Sequence, residues 1–211
     1  MEPIKIIDAP ACPLPLANVD TDQLIPARFM KEPRSVGYGQ FLLHDLRHDG
    51  SGRPAERFIL NHPQVAEAKT LVARRNFGAG SSREAAVYAL VDFGFRCVIA
   101  PSFGDIFASN AVNNGLLPAT VSEADAEALL AALGDAPGLL QVDLETQRIG
   151  VGDLSVTFFI APTWRTKLLN GWDDIDMTRQ HAETIRRFAD DYASQRPWLQ
   201  ATPSTEIITR S

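Results

Sequence analysis

Cysteine is nearly absent: Cys12 and Cys97 are the only two in 211 residues. That scarcity excludes a disulfide framework and an all-protein thiolate cluster, since a cubane iron–sulfur site takes more thiolates than this chain owns. Positive charge is also in short supply. Lys and Arg number 20 against 26 Asp and Glu, a formal net charge of −6, which argues against nucleic acid or an anionic membrane as the main partner, because both demand basic faces. A local anion site is compatible with that balance. No apolar run is long enough to span a bilayer. The opening MEPIKIIDAPACPLPLANVD has neither a basic n-region nor a long apolar h-region, so the expected location is cytoplasmic. Neither an internal repeat nor a low-complexity segment is visible.

What is present is an ordinary globular composition, 45% hydrophobic and 22% charged, sufficient for one large domain or two small ones. IKII (Ile4 to Ile7) reads as a short strand, and Pro10, Pro13 and Pro15 after it impose an extended, turning path. In NVDTDQLIPARFMK, the side chains of Asp20 and Thr21 can bond their own backbone ahead of an apolar run, as in an Asx-turn. LRHDGSGRPAER, Leu46 to Arg57, is polar and glycine-bearing and reads as a loop.

From Thr70 the pattern becomes regular. TLVARR, RCVIAP and LLPATV read as strands, separated by the helical patterns SREAAVYALVDFG and FGDIFASNAVNNG. That βαβαβ run implies parallel strands with right-handed crossovers. Ser122 then caps a further helix that ends before Gly134. Beyond Gly138, LLQVDL, RIGV and LSVTFFI are short strands with short turns, which predicts a smaller antiparallel sheet. PTWRTKLLNG and the amphipathic DDIDMTRQHAETIRRFADDYA read as two closing helices, and residues 201–211 as a disordered tail.

The segment NFGAGSSREAA, Asn76 to Ala86, stands between a strand and a helix. Gly78 and Gly80 permit positive φ and close backbone approach, and N–H groups at a helix start favour negative charge. The dinucleotide fingerprint fails, because Arg83 stands where a third glycine is needed, and the P-loop ending Gly-Lys-Ser/Thr is absent. The nucleophile elbow G-x-S-x-G fails for lack of its last glycine. Ser81 and Glu84 fit an S-x-x-E capping box, which explains both residues without any chemistry. It leaves Arg83 unexplained, since a cation in a first helical turn opposes the dipole unless it faces an anion.

Histidine adds little. His44 and His48 are four apart, but the pair lacks the Glu of H-E-x-x-H, runs into a glycine-bearing loop and has no evident third ligand. No metal site is expected. His62 and His181 read as surface or loop residues, and Trp164, Phe158 and Phe159 as core.

NVDTDQLIP, NFGAGSSRE, IAPSFGDIF and NNGLLP occur in an order and spacing that resemble the small subunits of 3-isopropylmalate dehydratase, an aconitase-like enzyme of leucine biosynthesis. The similarity covers roughly residues 1 to 200, which makes them one domain. The resemblance implies an α/β fold of the swivelling β/β/α type. It implies a large partner subunit that carries a four-iron, four-sulfur cluster, with no cofactor in this chain, and a small hydroxy-dicarboxylate substrate whose hydroxyl moves by dehydration and rehydration.

By the same resemblance Ser81 is the base, Ser82 hydrogen-bonds substrate and Arg83 grips a carboxylate, a task that suits a planar guanidinium. Thr21 and Asp22 lie beside the cavity, where Asp22 orients a charged partner. Ala27 to Gly39 corresponds to the family's mobile substrate-sensing loop, with Arg28 as a substrate contact. Ala79 and Ala85 stand where the family has Cys and His, and Val87 and Tyr88 replace Pro and Trp. The expected reaction interconverts 2- and 3-isopropylmalate. Its rivals are the same chemistry on methylmalate and citraconate, homoaconitate or dimethylmaleate, and a non-catalytic paralogue.

Overall fold

The computed structural model describes residues 1–196 and residue 198. Two compact units are distinguished, Met1–Asp173 and Asp174–Ser211; the tail expected over 201–211 lies outside the described residues. In the first unit the order is β1 (Ile6–Leu14), α1 (Thr21–Leu24), α2 (His44–Arg47), β2 (Thr70–Ala73), α3 (Glu84–Phe93), β3 (Cys97–Ala100), α4 (Asp105–Asn113) and β4 (Leu117–Thr120). It continues through α5 (Glu123–Leu133), β5 (Gly138–Asp143), β6 (Arg148–Val151), β7 (Leu154–Thr157) and α6 (Pro162–Asn170). Short 3-10 turns fill much of the connection from α1 to β2.

All seven strands form one sheet in the order β4-β3-β2-β1-β5-β6-β7. The parallel part expected from Thr70 onward and the antiparallel part expected after Gly138 are both present, and β1 joins them. Its second half pairs parallel with β2, from Ala11 opposite Thr70 to Leu14 opposite Ala73. Its first half pairs antiparallel with β5, from Ile6 opposite Asp143 to Ala11 opposite Gly138. This division of partners is how a strand in mid-sheet tolerates Pro10 and Pro13: each stands where one side of β1 has no ladder, so a missing N–H costs no sheet bond.

The sheet separates two apolar cores. Along β2 and β3 alternate side chains enter opposite ones: Leu71 and Val98 pack with Ala86 and Leu90 of α3, whereas Val72 and Ile99 pack with Leu129 of α5. Burial on both faces makes such strands read as unbroken apolar runs. The cap expected for α5 is present, with the Ser122 hydroxyl accepting the Asp125 N–H at 3.0 Å and Gly134 at the far end. Phe158 is buried as expected. Phe159 is not: its backbone exchanges hydrogen bonds of 3.0 and 2.7 Å with Thr120, and the period of two turns its ring outward, 64% exposed.

The second unit contains α7 (Asp174–Arg179) and α8 (Ala182–Ser194). The one amphipathic helix expected there is two. Gln180 and His181 donate to Met177 and Thr178, three residues back, which tightens and ends the first helix before His181 starts the second. No helix among the described residues is long and apolar enough to cross a membrane.

Candidate active site

The parallel arrangement of β1, β2 and β3 sends their carboxyl ends to one edge, and the chain segments that follow them interlock there. Such an edge is where open α/β sheets bind ligands. After β1, Asn18 takes φ +56°, and after β2, Asn76 takes φ +62°; asparagine is among the few side chains that enter the left-handed region readily. The Asn76 amide donates to Asn18 Oδ1 at 2.9 Å, and the Asn18 N–H donates to Arg75 O at 2.9 Å. The Gly78 N–H reaches Val19 O at 2.7 Å and the Thr21 N–H reaches Ala79 O at 2.9 Å. NVDTD and NFGAG thus form one short ladder.

The segment after β3 closes the other side. The Phe77 N–H donates to Ser102 O at 3.0 Å and the Gly104 N–H to Phe77 O at 2.9 Å. Gly78 has φ +71°, and a Cβ there would stand 2.2 Å from the Phe107 ring; only glycine fits that backbone beside that ring.

The ladder sets the first candidate residues. The buried Thr21 hydroxyl accepts the Ser81 N–H at 3.1 Å. The Arg83 guanidinium pairs through Nη1 with the Asp22 carboxylate. Thr21, Asp22, Ser81 and Arg83 are therefore brought together, with Ser82 exposed between the last two.

The capping box read from Ser81 and Glu84 does not form. α3 starts at Glu84 with Arg83 as N-cap and no side-chain cap bond, because the preceding turn is tied to Thr21 instead. Glu84 accepts a hydrogen bond from Asn114 Nδ2 at 2.8 Å, which draws NNGLLP to the same edge. The capping box occurs at Asp20, whose carboxylate accepts the Gln23 N–H at 2.7 Å while Gln23 Oε1 accepts the Asp20 N–H at 3.2 Å. It replaces the Asx-turn read there. The Ser81 hydroxyl is not spent on a helix cap; in the first turn of α3 the Ala86 N–H is engaged by the Arg83 carbonyl at 3.1 Å, and the N–H groups ahead of it precede the intrahelical ladder.

Gly78, Gly80, Ser81, Gly104, Asp105, Ile106 and Phe107 line a cleft of about 190 Å³. A larger hollow of about 650 Å³, walled by Met1, Ile4, Lys69 and Arg96 among others, contains none of the candidate residues.

Arg28 is in a different setting. It pairs with Asp45 through both terminal nitrogens, and its guanidinium lies 4.5 Å from the Phe29 ring centre. No hydrogen bond or ion pair among the described residues joins it to the Ser81 turn. Asp45 titrates at about 2, well below the usual carboxylate range, first because of its hydrogen bond to Arg28. His44 and His48 stack with centroids 4.1 Å apart, and His48 Nδ1 donates to His44 O at 2.9 Å. Among the described residues no group of three or more His, Cys, Asp or Glu is placed to hold a metal ion.

Sequence reasoning missed the Asn18–Asn76 and Glu84–Asn114 bonds. The available signal for the first was an asparagine beside each motif, Asn18 and Asn76, at positions where the chain turns left-handed; nothing local announced the second.

A model of the aconitase C-terminal domain matches residues 2–124. A 3-isopropylmalate dehydratase small subunit of Rhodospirillum centenum is 44% identical over 200 residues, which are 94% of this chain and 98% of that protein. The small subunit of Shouchella clausii is 42% identical over 188 residues, 89% of this chain and 95% of its own. That of Caulobacter vibrioides is 42% identical over 202 residues, 95% and 100%. A solved 3-isopropylmalate dehydratase of Methanocaldococcus jannaschii, 22% identical, superposes with a TM-score of 0.63 over 86% of this chain and 98% of that one. At that identity the likeness is one of fold.

Proposed function

We propose a function from the premise that this chain belongs to the aconitase C-terminal domain family, among the small subunits of 3-isopropylmalate dehydratase: it is the small subunit of a hydro-lyase that interconverts 2- and 3-isopropylmalate in leucine biosynthesis. The observation that carries the site assignment is the pairing of an uncapped serine with an oriented arginine. The Ser81 backbone is fastened to Thr21, its hydroxyl is not engaged as a helix cap, and the Arg83 guanidinium beside it is aimed by Asp22.

In this reading Ser81 takes the proton from the substrate carbon as the hydroxyl leaves the neighbouring carbon, and returns a proton when water adds back. A serine hydroxyl is a weak acid, so its alkoxide needs donors and a positive dipole; the N-terminal end of α3 supplies both. Ser82 hydrogen-bonds the substrate and Arg83 holds one of its carboxylates. Arg28, latched to Asp45, reaches substrate only by exchanging one carboxylate for another.

A cleft of about 190 Å³ is smaller than the roughly 300–1,000 Å³ typical of ligand pockets, which supports a second surface that completes it. That surface belongs to the large subunit. Neither thiol of this chain fits a cluster, because Cys12 and Cys97 lie in opposite apolar cores. Burial pushes the Cys12 thiol up to about 12 and raises that of Cys97 further. The Lewis-acid chemistry on the leaving hydroxyl is assigned to an iron–sulfur cluster of the large subunit, and the assembled enzyme to the cytoplasm.

The test is reconstitution with a large subunit and assay on isopropylmalate, methylmalate, homoaconitate and dimethylmalate. Isopropylmalate should give the highest kcat/KM, and Arg83→Lys should lower it roughly 10- to 100-fold, the worth of a charge-assisted hydrogen bond. Preference for another acid would replace the substrate. Wild-type kinetics in Arg83→Lys would remove Arg83 from the site.

A further inference from the structure

The segment that follows Arg28 is fastened to the flank of α3. The Arg34 guanidinium carbon lies 3.7 Å from the centre of the Tyr88 ring, and its Nη2 lies 3.4 Å from Asp92 Oδ1. The other oxygen of that carboxylate accepts the Tyr38 N–H at 3.0 Å. Tyr38 in turn donates its hydroxyl to Glu32 O at 2.8 Å, which folds the segment onto itself. Gly39 approaches the α3 backbone so closely that a Cβ there would stand 2.6 Å from Phe93 N. Glu84, Tyr88 and Asp92 recur every four residues and so share one face of α3. The pKa of the Tyr88 hydroxyl is raised, first by burial and then by a hydrogen bond to Glu84. Glu84 is the first residue of the helix and follows Arg83 directly.

We propose that Arg34 is a positioning residue: clamped between the Tyr88 ring and the Asp92 carboxylate, it holds residues 27–41 against α3 and thereby sets where the substrate-sensing segment stands relative to Ser81 and Arg83. One rigid helix carries the catalytic turn at its start and the clamp along its side. An exposed ion pair alone contributes little, and a cation over an aromatic face somewhat more. Here both act on one guanidinium, beside a backbone contact that admits only glycine. The effect falls on substrate side-chain discrimination, because the clamp touches neither the proton acceptor nor the carboxylate grip. The part about substrate rests on the function proposed above; the clamp itself rests on the contacts alone.

The experiment has two arms. In the isolated chain, amide hydrogen exchange over residues 34–41 is measured for wild type, Arg34→Ala, Arg34→Lys and Asp92→Asn. Arg34→Ala and Asp92→Asn should speed exchange there roughly tenfold, with β2 and β3 unchanged, and Arg34→Lys should fall between. In the reconstituted enzyme, Arg34→Ala should raise KM for isopropylmalate roughly tenfold, leave kcat within about threefold, and narrow the preference over methylmalate. Unchanged exchange in Arg34→Ala would overturn the clamp. Faster exchange with unaltered KM and preference would overturn its role in specificity. If the wild-type complex turned over none of the acids, the proposed function would fall, and exchange alone would decide the clamp.

Discussion

At the scale of single residues, the Ser81 hydroxyl has two rival uses, and the geometry excludes one of them, the helix cap. A serine that caps a helix contributes about 0.5–2 kcal/mol. Ser81 lies two residues ahead of the N-cap, exposed, with its N–H bound to Thr21 Oγ1 at 3.1 Å. Ser81→Ala should therefore change stability by less than about 0.5 kcal/mol, while turnover of the assembled enzyme falls roughly 10²- to 10⁴-fold. Thermal melts and steady-state rates on one preparation check both. A stable variant with full turnover would remove Ser81 from the chemistry. Asp45 offers a second test. Its folded value of about 2 lies below the ordinary value near 3.9, so its pairing favours the folded state above pH about 4 and that contribution fades as pH falls toward 2. Carboxylate titration by NMR should find Asp45 near 2 in the wild type and back in the ordinary range in Arg28→Ala. An unmoved midpoint would show that Arg28 does not hold it.

At the scale of elements, legibility in the sequence follows the range of the bonds. The limits of α5 were readable because Ser122, Asp125 and Gly134 act within a turn of the chain. The start of α3 was not, because the partner of the Ser81 N–H is sixty residues away along the chain, and no local pattern reports it. Asp20 and Gln23 form a capping box that the residue types permitted, yet the paired asparagine turns around it depend on three separate strand ends meeting. The same meeting makes Gly78 sensitive. Its φ of +71° and the Phe107 ring 2.2 Å from any added Cβ both oppose a side chain, so Gly78→Ala should destabilise the chain by at least about 1–3 kcal/mol. Chemical denaturation measures it. A cost below about 0.5 kcal/mol would mean that the turn relaxes and is not held by the interlock of Phe77, Gly78 and Phe107.

At the scale of the whole chain, the first unit is organised around β1. This strand links the parallel strands, whose carboxyl ends carry the candidate site, to the antiparallel strands beyond it. The sequence announced both sheet types through the change of pattern at Gly138, but the pairing of β1 with each was hidden, since Pro10 and Pro13 read locally as breaks. That sheet also divides the two thiols. Cys12 packs with Leu71 and Phe77 on one face and Cys97 with Ile99 and Leu129 on the other, and burial holds both as neutral thiols. A thiolate is the form that binds iron and attacks disulfides, so neither cysteine serves those ends while the fold persists. The purified chain should be colourless, without iron or sulfide, and inactive as a dehydratase until a large subunit is added. Its thiols should resist a disulfide reagent in buffer and react only through unfolding, with a rate that rises with denaturant as the open population rises. Reaction of either thiol within seconds in native buffer would contradict the burial of that core. Stoichiometric iron and sulfide in the pure chain, or turnover by it alone, would overturn the division of labour between the two subunits.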